Sequence, residues 1–160
     1  MLLGTIDTIN ANIATNLSTD LGYTLYYDTG SVMELQEYFT VDDSRFPIMW
    51  WAKEEGAGIV SGNEIPFSNT SFDNHSLSFI LLMALDIDSS FQDRKDALNT
   101  CDEIMTQFVY QWQTYELSFG NVSNLTKGAI SPLYHNSINA MVGVSCNITF
   151  NAPSDFNYCE

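Results

Sequence analysis

Four stretches of this chain carry long, regular patterns of apolar and polar positions. Leu2, Leu3, Ile6, Ile9, Ile13 and Leu17 recur every three or four residues. That spacing draws one apolar stripe down a helix and predicts α-structure over 2–18, closed by Asp20 and Gly22. Ala97, Leu98, Cys101, Ile104, Met105, Phe108, Val109, Trp112 and Tyr115 form a second and longer helical stripe. Ser90 stands three residues before Asp93, a variant capping box, so this helix is expected to run over 91–116 and to end before Gly120. The other two patterns alternate. From Ser76 to Asp88, Leu77, Phe79, Leu81, Met83, Leu85 and Ile87 point one way, with Ile80, Leu82 and Ala84 opposite. This reads as a central strand whose middle is covered on both faces. Near the end, Ala140, Val142, Val144, Cys146, Ile148 and Phe150 share one face, and small polar residues share the other. That is a half-buried strand, which Pro153 is expected to stop.

Between these elements the signals are shorter. YTLYY (23–27), bounded by Gly22 and Asp28-Thr29-Gly30, reads as a strand with Tyr23, Leu25 and Tyr27 on one side. Residues 31–45 fit either a short helical turn through Val32, Leu35 and Phe39 or a strand. FPIMWWA (46–52) is β-like, with Pro47 near its start or at an edge. Residues 52–75 are irregular, with Gly56, Gly58, Gly62 and Ile65-Pro66-Phe67, and read as a projecting loop or hairpin. Residues 121–127 read as a polar turn, 130–134 as a short strand and 135–139 as a turn. The order predicts an α+β fold: an antiparallel or mixed sheet of about five strands, with the N-terminal helix and the long central helix on one face. The expected organisation is a single domain over 1–152, followed by a C-terminal arm over 153–160 that carries Phe156 and Tyr158.

Composition adds one strong constraint. Twenty acidic residues stand against five basic ones, a net charge of −15. The bases are Arg45, Lys53, Arg94, Lys95 and Lys127, and they form no stripe. Proteins hold nucleic-acid backbones with clustered Lys and Arg, so attractive DNA binding and docking on anionic lipid are both disfavoured. A core is readily built, since hydrophobic residues make up 45% and aromatic residues 13% of the 160 positions. Three cysteines, at 101, 146 and 159, are too few and too scattered for a disulfide framework or a zinc site, and fit a reducing compartment. Six Asn-x-Ser/Thr sequons occur, but the N-terminal residues lack the basic and apolar regions of a signal peptide. The run SFILLMALDID is too short to span a bilayer.

Candidate chemistry is sparse. Asp73 and His75, read as part of a polar loop, make the nearest metal grouping, and two ligands fall short of a zinc site. Cys146 and His135 lie across a turn, yet Cys146 shares its face with Val144 and Ile148 and reads as a buried thiol. GAGIVSG is glycine-rich but lacks the Lys-Ser/Thr of a phosphate loop. Asp86 and Asp88 would share a strand face, about 7 Å apart, although acids are also at home before a helix N-terminus. No residue set carries a named catalytic mechanism, so the expectation is no enzyme, no cofactor and no metal.

In its order of elements, N-terminal helix 2–18, sheet, long helix 91–116 and closing strand AMVGVSCNITF with a short arm, the chain resembles a group of small phage proteins. These are the tail-terminator, tail-completion and head–tail joining ring proteins of tailed bacteriophages, with those of crAss-like phages nearest in style. The resemblance implies a virion structural protein, made in the bacterial host cytoplasm, that forms an oligomeric ring through which DNA passes without tight binding. Its partners would be copies of itself and neighbouring portal, connector or tail proteins, with no membrane. Pro153, Phe156 and Tyr158 of the arm, with Ile65 and Phe67 of the loop, are the expected subunit-interface residues. The competing classes are a non-catalytic accessory or small-ligand binding protein, with the 52–75 loop as its mouth, and an enzyme of unrecognised type.

Overall fold

The computed structural model describes residues 3–41, 45–53, 59–60, 72–86, 88–119, 123–136 and 140–153. The elements in chain order are α1 (Leu3–Leu21), β1 (Tyr26–Gly30), α2 (Val32–Val41), β2 (Ile48–Ala52), β3 (Ile59–Val60), β4 (Phe72–Leu85), α3 (Phe91–Phe119), β5 (Ser123–Lys127), β6 (Ser131–Asn136) and β7 (Ala140–Pro153). The fold is α+β, with a mixed sheet.

The two longest alternating patterns make the spine of that sheet. β4 and β7 pair antiparallel over their whole length, from Phe72 opposite Pro153 to Leu85 opposite Ala140. β2 and β3 both lie on the free side of β4, with Ala52 opposite Ser78 and Ile59 opposite His75. β5 and β6 both lie on the free side of β7. The amide of Gly128 donates to the carbonyl of Asn147 at 2.7 Å and carries the pairing from β5 towards β6. The described sheet is therefore five strands wide, in the order β1, β2 with β3, β4, β7, and β5 with β6.

β1 is the exception to antiparallel order. It runs parallel to β2, with Tyr26 opposite Ile48 and Gly30 opposite Ala52. A parallel neighbour demands a crossover over one face of the sheet. α2 makes that crossover, which settles residues 32–41 as a helix. Its start carries a capping box: the Ser31 amide donates to Glu34 Oε2 at 2.6 Å, and the Glu34 amide donates to Ser31 Oγ at 3.2 Å.

The two sheet faces have different covers. On one, α1 and α3 pack Ile6, Ile13, Leu17, Ile104, Met105, Phe108 and Trp112 against Leu77, Phe79, Leu81, Val144, Cys146, Ile148 and Phe150. This is the helix phase the stripe predicts. Phe108 is fully buried and meets Phe79 edge-on, with ring centroids 5.0 Å apart. Each fully buried side chain of this size contributes about 1.5–3 kcal/mol. On the other face, α2 lays Leu35 over Ile48, Trp50 and Leu82. The cluster reaches from β2 onto β4, with Tyr26, Ala52 and Ile80 packed against it.

Local signals fix the ends of the helices. α1 closes at Gly22, whose φ of 76° is left-handed and whose amide donates to the carbonyl of Ser18 at 3.1 Å. At α3, the Ser90 amide and hydroxyl donate to Asp93 Oδ2 at 2.8 and 2.7 Å, and the Asp93 amide donates back to Ser90 Oγ at 3.1 Å. These bonds hold the Asp93 carboxyl below the usual carboxylate range.

Several local expectations are corrected. The first strand is displaced towards Gly30, so Tyr23 is exposed and lies outside it. Residues 123–127 form a strand rather than a turn, and His135 and Asn136 belong to β6. β4 stops at Leu85, so Asp86 and Asp88 do not share a strand face. The last strand runs past Phe150 and stops at Pro153, as expected, in register with Phe72.

Candidate functional site: a buried polar chain and an uncharged sheet face

The expected chemistry is not assembled where the sequence places it. His75 lies in β4, not in a loop, and is fully buried with its ring stacked on Phe150 at 5.2 Å. Its partner in the supposed metal pair, Asp73, takes the register position opposite Ala152. Among the described residues no group of three metal-ligating side chains occurs. Cys146 pairs with Phe79 and His135 with Met141, so five positions of β7, about 17 Å of strand, separate the supposed dyad. Burial pushes the Cys146 thiol up, against the smaller opposing effect of Lys127. The Cys101 thiol, fully buried, is pushed up to about 12 by burial. Both are inert in this setting.

The structure assembles a polar chain through the core instead. Trp112 Nε1 donates to Asn10 Oδ1 at 3.0 Å, and Asn10 Nδ2 donates to the Tyr27 hydroxyl at 3.2 Å. The Tyr27 hydroxyl donates in turn to Asp7 Oδ1 at 2.7 Å. Burial, and then this bond to Asp7, raise the Tyr27 pKa well above the ordinary tyrosine range. On the far side, Trp112 stacks on Phe150 at 5.1 Å, which stacks on His75. One continuous series of contacts therefore ties α1, β1, α3, β7 and β4 together. Asn10 interrupts the stripe between Ile6 and Ile13, and a buried indole N–H needs an acceptor. Those two facts together were the available signal.

No known protein-family model matches this chain, and no curated protein matches it in sequence.

Outside the core, four surface features stand out. A groove of about 520 Å³ lies between α1 and α3, lined by Asn16, Asp20, Gln107, Tyr110, Gln111 and Thr114. Acidic side chains are exposed on all three helices, among them Asp20, Glu34, Glu37, Asp96, Asp102 and Glu103, and at the β4–α3 turn, Asp86 and Asp88. Lys53 is drawn over the Trp51 ring, its Nζ 4.2 Å from the centroid.

The fourth feature is the run of mostly polar rows on the second sheet face, which starts at Ile80 and Leu82 beside Leu35 of α2 and continues across β7 onto β5 and β6. Register sets its rows: Ser76, Thr149 and Thr126; Ser78 and Asn147; Ile80, Ser145 and Ser131; Leu82, Gly143 and Leu133. No Asp, Glu, Lys or Arg occupies these rows. Gly143 is required here, because a Cβ at this position would run into the Leu81 carbonyl and the Leu82 side chain.

Of the expected interface residues, Pro153 closes β7. Ile65, Phe67, Phe156 and Tyr158 lie outside the described residues.

Proposed function

We propose that this chain is a structural protein of a tailed-phage virion, one subunit of an oligomeric ring at the head–tail junction or in the tail, acting as connector, tail terminator or tail completion protein. The observation that carries this reading is the distribution of charge. The net charge is −15, and the described acids are spread over all three helices and the β4–α3 turn, while the five bases are dispersed along the chain. Such a surface repels a polyanion at close range, as the wall of a DNA channel must if DNA is to slide through it. The element order supports the same reading: an N-terminal helix and a long helix share one face of a mixed sheet that closes on a long strand. Under this reading DNA is a passing cargo, the binding partners are copies of the chain and neighbouring virion proteins, and the role is architectural rather than catalytic.

The test is the state of assembly. Native mass spectrometry and electron microscopy of the protein, alone and with neighbouring structural proteins, are expected to show a closed ring with an open lumen. Duplex DNA at physiological salt is expected to pass unretarded in a mobility assay with the ring. A protein that stays monomeric in every mixture, or one that shifts DNA in a salt-dependent way, overturns the reading. A second reading, a small-ligand binding protein, is favoured by the groove between α1 and α3, whose amides, hydroxyls and exposed Tyr110 suit a polar ligand. A monomer that binds such a ligand there is the outcome expected of it.

A further inference from the structure

We draw no further inference here: the strongest candidate, the groove between α1 and α3, belongs to the small-ligand reading already given, and its polar lining of Asn16, Asp20, Gln107, Tyr110 and Thr114 is exposed on the surface of the two helices, so that nothing in the structure shows what would occupy it.

Discussion

The indole nitrogen of Trp112 and the side-chain oxygen of Asn10, 102 residues apart in sequence, form a fully buried hydrogen bond of 3.0 Å. It joins the two helices that cover one sheet face. Through Tyr27 it also fixes the edge strand, because the same Asn10 donates to the Tyr27 hydroxyl. Replacing Asn10 with Ala strands a buried indole N–H and removes one partner of a half-buried phenol. An unsatisfied buried group costs about 1–3 kcal/mol, and the truncation adds a small cavity. Asn10→Ala is therefore expected to destabilise the fold by about 2–4 kcal/mol in urea unfolding. A loss of less than half a kilocalorie would show that the bond is replaced by water.

Phe108 tests the main core. It is fully buried between the α3 stripe and Phe79. Phe108→Ala is expected to cost about 3–5 kcal/mol, with the spread set by how far Met105 and Leu81 relax into the space. Equilibrium unfolding checks it, and a near-neutral result would mean that α3 does not seat on the sheet through this residue.

Gly143 tests the sheet spine. A methyl group there meets the backbone carbonyl of Leu81 as well as the Leu82 side chain, and the carbonyl belongs to the strand β7 pairs with. Backbone cannot swing aside as a long side chain does. Gly143→Ala is expected to destabilise by about 1–3 kcal/mol, in the range of overpacked sites, although alanine is ordinarily the better strand residue. A stabilised variant would show that β4 and β7 separate locally without cost.

The elements legible in the sequence were those whose own periodicity is long. α1, β4, α3 and β7 each repeat an apolar spacing several times, and each is set by burial along one face. The stripe of α2, Val32, Leu35 and Phe39, is too short to outweigh a strand. The decisive signal was the pair Ser31 and Glu34, a capping box of the ordinary Ser-x-x-Glu kind. β5 is not legible in the sequence, because Ser123–Lys127 is polar apart from Leu125 and its strand character comes from pairing with β7 rather than from its own residues. The strand position of His75 is hidden for a related reason. NTSFDNHS is polar in composition, yet β4 extends through its second half and turns the imidazole onto Phe150. The uncharged face was half visible as the polar side of AMVGVSCNITFN. Its extent became clear only when register set Ser76, Ser78 and Ser131 beside it.

The closing prediction concerns the C-terminal arm. β7 remains paired as far as Pro153, opposite Phe72, so the fold uses the chain up to that residue. Seven residues follow, Ser154–Glu160. Fully extended they reach about 23 Å at roughly 3.3 Å per residue, enough to cross to a neighbouring subunit. Phe156 and Tyr158 stand two apart, so an extended arm presents both rings on one side. As interface anchors each is expected to contribute on the order of 1–2 kcal/mol, a sum that, repeated around a ring, decides closure. Truncation after Pro153 is therefore expected to leave monomer unfolding nearly unchanged while abolishing incorporation into particles. Truncation after Ala152 removes one further strand position and should behave alike, with a slightly lower melting temperature. Thermal unfolding run beside a pull-down with neighbouring structural proteins separates the outcomes. If truncation after Pro153 unfolds the monomer, the arm packs on its own domain. If the truncated chain still enters particles, the arm is dispensable and the next candidate for the contacts is the segment that carries Ile65 and Phe67.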